Sequence, residues 1–264
     1  MKNSSCIQIH LCYAVHRSVE EKLQDDIFTH SHSSLNCFTR NLSSRTCWNC
    51  QKVVPQGEYF CSCGKIQPVP PEANYFNLLG YPSYVARVDA AELSNRMRAA
   101  QRQLHPDKFS RVSFHEKSLA ADASTAINKA YSTLASPADR FEYILSVYSP
   151  LEAEHNLQDP EFLMEILELS EELEHLLNEL NKTPSSVEIP SDKKDHVVRL
   201  FHKFSRLAKQ EENNISSLLT DQKWSDAQLH LSRFRYFLRL MEQFRENDTA
   251  WKILEQASVD LKRA

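Results

Sequence analysis

The second half of the chain alternates apolar and polar residues with the period of an amphipathic α-helix. Three stretches, within residues 162–180, 197–208 and 227–241, repeat an apolar residue every three or four positions. The predicted core positions are Phe162, Ile166, Leu169, Leu173, Leu176 and Leu180, then Val197, Phe201, Phe204 and Ala208, then Ala227, Leu231, Phe234, Leu238 and Met241. Pro184 and Pro190 separate the first two stretches. The pattern predicts an antiparallel three-helix bundle within residues 149–264.

Residues 74–148 carry a second helical pattern. A short helix at 74–79 is expected to end at Gly80, because glycine readily adopts the left-handed conformation that closes a helix. Two longer helices follow, with an N-cap at Asp89. Their predicted core positions are Leu93, Met97, Ala100 and Leu104, then Leu119, Ala123, Ile127, Ala130 and Leu134. The polar, proline-containing segment His105–Phe109 joins them, which predicts a helical hairpin with a polar tip.

Composition agrees with an all-α fold and excludes several classes of protein. The 264 residues include only 3 glycines, which allows neither a dinucleotide-binding nor a phosphate-binding glycine loop in standard form. No run of about 18 apolar residues occurs, so no membrane-spanning segment is expected. Residues 151–264 hold 22 acidic and 15 basic side chains, which makes nucleic acid a poor partner.

The first helix of the predicted bundle has apolar residues outside its core stripe. Leu163, Met164 and Leu167 fall at angles shared with Glu168 and Glu171. An apolar patch among carboxylates suggests a docking surface for a partner with aliphatic and basic side chains. Burial of this helix on a wide arc between two neighbours is the alternative. Tyr236 is predicted to lie opposite the core stripe of its helix.

All 7 cysteines lie within the first 63 residues, and four of them form a cluster. Cys47 and Cys50 are spaced C-x₂-C, and Cys61 and Cys63 are spaced C-x-C, one residue shorter than the usual second pair. Four thiolates in a segment this small predict a structural zinc site within residues 47–67. Reduced cysteines without metal in a flexible linker are the alternative. The proline-rich residues 68–73 predict a linker to the helices.

Residues 1–46 show no sustained periodicity. Residues 27–45 contain no acidic side chain, several hydroxyls and the basic Arg40 and Arg45, which is the composition of a mitochondrial transit peptide. An acidic patch at residues 20–26 argues against an import helix, and a leader without a targeting role is the alternative. We expect a leader that directs the chain to the mitochondrial matrix. The sequence also allows an additional cytoplasmic pool of the protein.

The middle segment resembles a J domain. The resemblance rests on Tyr75-Phe76 with Leu78-Leu79-Gly80, on His105-Pro106-Asp107 at the hairpin tip, and on residues 127–137. It implies docking on a DnaK-class chaperone and stimulation of its ATP hydrolysis. His105, Pro106 and Asp107 would be the switch residues, and Arg98 and Arg102 would steer the chaperone's acidic surface. Without this frame, His105 would be read as a helix-capping loop histidine.

The cysteine cluster, the J domain and the acidic bundle together resemble the HscB family, the J-type co-chaperones of iron–sulfur cluster assembly. The resemblance covers residues 47 to about 246. It implies that the bundle binds the iron–sulfur cluster scaffold protein and that the J domain delivers it to a mitochondrial DnaK-class chaperone, without catalysis by this chain. Homodimer formation stays open. The residues expected to contact the scaffold are Leu163, Met164, Leu167, Glu168, Glu171 and Tyr236.

Three other functions compete with this hypothesis. An enzyme that uses His105 and Asp107 as acid–base groups lacks an accompanying nucleophile or glycine loop. A zinc-dependent nucleic-acid module conflicts with the acidic C-terminal segment. A general J-domain co-chaperone that presents other protein clients shares every J-domain feature. The Leu163/Met164/Leu167 patch discriminates here, because only a scaffold-specific protein should lose its partner when that patch is removed.

Overall fold

The computed structural model describes residues 45–55, 58–70, 73–109, 112–148, 159–183 and 187–263. Within them the protein is mostly helical, with one two-stranded sheet. The expected all-α class with a small cysteine module is therefore confirmed. The predicted leader falls almost wholly outside the described residues. The chain divides into two compact units at residues 140 and 141.

The N-terminal unit begins with the cysteine module. Strands β1 (Arg45–Thr46) and β2 (Val53–Val54) pair antiparallel, with Thr46 opposite Val53. Arg45 donates to the carbonyls of Glu58 and Pro68, which ties the first strand to the end of the module. The ordered module thus includes Arg45 and Thr46, two residues before the start expected from the cysteines.

The rest of the N-terminal unit is a helical hairpin preceded by a single turn. Helix α1 (Tyr75–Leu78) is followed by its C-cap Leu79 and then by Gly80, whose φ of 75° and close approach to Arg96 suit glycine. Helix α2 (Ala90–Gln103) begins at Asp89, which accepts from the Glu92 amide as a normal N-cap. Helix α3 (Phe114–Ala135) and the start of helix α4 (Pro137–Tyr148) follow.

The core of this unit matches the predicted stripes closely. Every predicted core position of α3 is buried. On α2, Leu93 and Ala100 are buried, whereas Met97 is only half-buried. Arg140 is buried and donates to two carbonyls, that of Leu134 at the end of α3 and that of Ala86 in the segment before α2.

In its described residues the C-terminal unit contains the remainder of α4, followed by four helices. These are α5 (Pro160–Lys182), α6 (Ser191–Thr220), α7 (Trp224–Glu246) and α8 (Asp248–Arg263). Helices α6 and α7 pack along their length, and α8 contacts α5, α6 and α7. Among the described residues, no helix is both long and apolar enough to cross a lipid bilayer.

Packing in the C-terminal unit confirms the stripes on α5 and α6 and revises the stripe on α7. All predicted core positions of the first two helices are buried. On α7, Leu238 is only half-buried, while Phe237, Leu240 and Phe244 join the core. The reason is that α7 is covered on a wide arc, because α5, α6 and α8 all pack against it.

Candidate functional site

The four predicted metal-ligating cysteines come together in the cysteine module. The sulfurs of Cys47, Cys50, Cys61 and Cys63 all lie within 4.8 Å of one another. The Cys47 and Cys63 sulfurs are 3.7 Å apart, and the Cys50 and Cys61 sulfurs are 3.5 Å apart. Sulfurs at about 2.3 Å from a tetrahedral zinc ion lie about 3.8 Å apart. The arrangement therefore fits a four-coordinate metal ion, and the shortened second pair does not prevent it.

Two tight turns deliver the sulfurs. The Gln51 amide donates to the Cys47 carbonyl, and the Gly64 amide donates to the Cys61 carbonyl. The residue after each cysteine pair has a positive φ, 62° at Gln51 and 80° at Gly64. A glycine at the second turn is suited to that conformation, so a C-x-C pair followed by glycine makes a compact chelating turn.

Donors around Cys47 favour its thiolate. Burial raises the pKa of Cys47, but hydrogen bonds from the Cys50 and Asn49 amides and from neighbouring thiols outweigh it and lower the pKa to about 6. Gln67, itself buried, donates to the same sulfur from 3.3 Å. Cys50 is the opposite case: a backbone hydrogen bond at Lys52 lowers its pKa, but burial and the adjacent thiols raise it to about 12. A bound cation would stabilise the deprotonated form of all four sulfurs.

The predicted chaperone-binding residues lie at the hairpin tip and on the outer face of α2. His105 is exposed, and the next residues form a 3₁₀ turn, Pro106–Phe109, in which the Lys108 amide donates to the His105 carbonyl. Asp107 lies within this turn. Arg98 and Arg102 are exposed one helical turn apart, as the sequence predicts.

Hydrogen bonds across the hairpin fix α2 against α3. The side-chain amide of Gln101 donates to Asn128 Oδ1 at 2.9 Å and to the Ser124 backbone carbonyl at 3.2 Å. The Ser124 hydroxyl donates to Gln101 Oε1 at 3.0 Å. These bonds lie beside the basic face formed by Arg98 and Arg102. The two helices therefore hold the tip on a rigid base.

The predicted docking strip of α5 is exposed. Leu163, Met164 and Leu167 keep 43%, 64% and 59% of their surface accessible, and Glu168 and Glu171 beside them are exposed too. Spacings of three and four residues place all five on one side of the helix. Among the described residues this side of α5 is not buried against a neighbouring helix, which contradicts the alternative of burial on a wide arc between two neighbours.

Tyr236 lies at the edge of the core and not opposite it, contrary to the sequence prediction. The residue is half-buried, and its ring meets Phe162 edge-to-face with centroids 6.0 Å apart. Phe162 immediately precedes Leu163, so the packing of α5 against α7 brings Tyr236 to the start of the docking strip. The wide burial of α7 explains the difference from the sequence prediction.

Ionic contacts that the sequence analysis missed orient α5. Asp159 caps the helix by accepting from the Phe162 amide at 3.1 Å and also pairs with Arg233 of α7. The Arg233 guanidinium lies 5.1 Å from the Phe162 ring centre. An aspartate before proline signals the cap, but nothing local in the sequence indicates its partner 74 residues away.

Comparisons with known proteins agree with this architecture. A family model described as the HSCB C-terminal oligomerisation domain matches residues 158–245. The mouse iron-sulfur cluster co-chaperone protein HscB is 32% identical over 212 residues, which cover 77% of this chain and 82% of the mouse protein. The chain belongs to the HscB family.

Other HscB proteins support the assignment. The human iron-sulfur cluster co-chaperone protein HscB is 32% identical over 208 residues, covering 75% of this chain and 80% of the human protein. The crystal structure of human HscB, at 28% identity, matches 76% of this chain and 97% of the human chain with a TM-score of 0.62. HscB from Vibrio cholerae matches 69% of this chain and 98% of its own with a TM-score of 0.54. The resemblance to HscB stated from the sequence is confirmed.

Proposed function

We propose that this HscB-family chain is a co-chaperone of iron–sulfur cluster assembly that binds the cluster scaffold protein and delivers it to a mitochondrial DnaK-class chaperone. The observation that carries the proposal is the exposed apolar strip Leu163/Met164/Leu167, flanked by glutamates, on the first helix of a domain that matches the HscB family model. The names of the mouse and human relatives supply the iron–sulfur context.

The scaffold-binding surface consists of that strip with Glu168, Glu171 and Tyr236. Apolar side chains that lose contact with water on binding supply affinity, and the carboxylates orient a basic partner. The half-buried Tyr236 ring offers a rigid aromatic edge at one end of the strip. A scaffold segment with aliphatic and basic side chains suits this surface.

The chaperone-binding surface consists of His105, Pro106 and Asp107 at the tip, with Arg98 and Arg102 on α2. The two arginines are exposed on one face, so they can attract an acidic chaperone surface before contact. The tip then engages the chaperone and stimulates its ATPase. In this mechanism the chain itself makes and breaks no covalent bond. Holding scaffold and chaperone on one molecule raises the concentration of each near the other.

The cysteine module holds a structural zinc ion in this proposal. Its support is the four-sulfur geometry at distances a tetrahedral ion requires. Metal analysis of purified protein should give about one zinc ion per chain. The Cys47→Ser/Cys61→Ser double variant should lose it, whereas a wild type purified free of any metal would contradict the assignment.

Mitochondrial targeting rests on the composition of residues 27–45. A fluorescent fusion of residues 1–46 should enter mitochondria, and a diffuse cytosolic signal would count against import. The family model describes an oligomerisation domain, so light scattering of the purified chain should also measure whether a homodimer forms.

The deciding experiment is steady-state ATP hydrolysis by a mitochondrial DnaK-class chaperone with the iron–sulfur scaffold present. Wild-type protein should stimulate hydrolysis, and scaffold should increase the stimulation further. The His105→Gln variant should bind scaffold normally but stimulate little. Stimulation that is independent of scaffold and is reproduced by unrelated unfolded clients would favour the general J-domain co-chaperone. If neither the wild-type protein nor the His105→Gln variant stimulates hydrolysis, the proposal is refuted.

A further inference from the structure

The cysteine module packs against the part of the hairpin that carries the tip. The Trp48 ring meets His115 of α3 edge-to-face, with centroids 5.0 Å apart. The Phe60 ring stacks on Phe109, with centroids 6.4 Å apart. The Tyr59 hydroxyl donates to the Leu78 carbonyl. The module therefore touches the hairpin at Phe109 and His115, which both follow residues 105–108 in the chain, and it also touches the end of α1 at Leu78.

Phe109 is the residue through which Phe60 reaches the tip. It closes the 3₁₀ turn that begins at Pro106, and its side chain is buried at 6% exposure. His105 lies four residues earlier and is exposed. A single 3₁₀ turn, closed by the hydrogen bond from the Lys108 amide to the His105 carbonyl, separates the two residues. The position of Phe109 therefore constrains the path of the backbone at His105.

Lys65 contacts the first turn of α3, the helix that follows the tip. Its ammonium is 3.0 Å from Glu116, whose side chain is 7% exposed. The Ser113 hydroxyl donates to the same carboxylate and accepts from the Glu116 amide, which caps α3. Lys65 thus completes the cap of the helix that follows the tip, and it lies two residues after Cys63.

The sequence of the module links these contacts to the metal site. Cys61 follows Phe60 directly, and Gly64 and Lys65 follow Cys63. The Cys61 amide donates to the Lys65 carbonyl, and Phe60 pairs with Ile66 as an isolated bridge. The turn that presents two sulfurs therefore also sets the positions of Phe60 and Lys65.

We propose that Phe60 and Lys65 are positioning residues for the J-domain tip, through which the metal-loaded cysteine module holds residues 105–109 and the start of α3 at residues 113–116 in the conformation that engages the chaperone. The inference rests on the proposed function of that tip. A tip that is already held in its binding conformation does not have to be ordered when the complex forms. Loss of the Phe60 and Lys65 contacts should therefore lower the fraction of molecules whose tip can bind the chaperone. A bound zinc ion would hold Cys61 and Cys63, and with them the neighbouring Phe60 and Lys65, in these positions.

The test compares full-length wild type with Phe60→Ala and Lys65→Ala, each assayed for zinc content and for chaperone ATPase over a range of concentrations. Both variants should retain zinc, and their half-maximal concentration should rise about three- to tenfold while maximal stimulation is unchanged. Lys65→Arg and Phe60→Tyr should restore the wild-type value. Val53→Ala, an exposed module residue outside these contacts, serves as the control.

A second measurement keeps the inference separate from the proposed function. Hydrogen exchange at the Lys108, Glu116 and Lys117 amides should accelerate in both alanine variants and in Glu116→Gln, which breaks the same ion pair from the helix side. If the wild-type protein fails to stimulate the ATPase, the proposed function is refuted. The exchange data would still show whether Phe60 and Lys65 hold the tip in position. Unchanged exchange, or an unchanged half-maximal concentration in zinc-loaded variants, would overturn the inference.

Discussion

Replacing the docking strip of α5 by alanine should weaken scaffold binding strongly without unfolding the protein. The substitution is the triple variant Leu163→Ala/Met164→Ala/Leu167→Ala. The three side chains are 43%, 64% and 59% exposed, so they contribute little to the core of the free protein. Surface substitutions of this kind usually change stability by no more than about 0.5 kcal/mol each.

The magnitude follows from the surface that each side chain still has to lose. Complete burial of an aliphatic side chain is worth roughly 1.5–3 kcal/mol. With about half of that surface available at each of three positions, burial under the scaffold would contribute about 2.5–5 kcal/mol in total. Since about 1.4 kcal/mol corresponds to a tenfold change in Kd, removal should weaken binding about 60- to 4,000-fold.

Titration calorimetry of purified scaffold into wild type and variant measures the change directly. Val187→Ala is the matched control, because Val187 is another exposed aliphatic residue of the same unit, with 54% of its surface accessible. Thermal unfolding of all three proteins should agree closely. Scaffold affinity within threefold of wild type for a folded triple variant would refute the assignment, and stimulation of the chaperone without scaffold should persist in that variant.

Three further predictions concern charges. Reversing Arg98 and Arg102 to glutamate should raise the half-maximal concentration for ATPase stimulation about tenfold and weaken its dependence on salt, as a salt titration would reveal. The hydrogen bond from Lys65, opposed by burial and assisted by Ser113, lowers the pKa of Glu116 below 4.5. Its contribution to stability is therefore present above about pH 4.5 and is lost as the pH falls below it, so the difference in Tm between wild type and Glu116→Gln should shrink in acid. Arg140→Leu should lower the free energy of unfolding by about 2–4 kcal/mol in urea denaturation, because two carbonyls lose a charged donor, and an unchanged midpoint would contradict that role.

Local sequence patterns were sufficient for most of the helices. Periodicity identifies the buried faces of α3, α5 and α6 because each presents one apolar stripe to one side. The same reasoning fails on α7, where Leu238 was expected in the core and Phe237 was not. A helix covered by three neighbours buries side chains over a wide arc, so a single narrow stripe does not identify all of its core positions.

The candidate sites divide in the same way. Cysteine spacing and the exposed residues beside Glu168 could be read from the sequence, because ligand spacing and helical angle are local properties. Contacts between distant segments could not be read, such as Trp48 on His115 or Arg233 on Asp159. These pairs depend on how separate elements fold together, and no local pattern records them.

The glutamates around the α5 strip have a consequence for the free protein in a crowded compartment. Exposed leucine and methionine invite unwanted association between copies whenever no partner is bound. Glu168 and Glu171 lie beside those side chains and are exposed with them. Two such faces carry the same charge and repel each other, so the carboxylates act as gatekeepers against aggregation. Replacing them with neutral residues would therefore lower the solubility limit of the chain as well as its affinity for a basic partner.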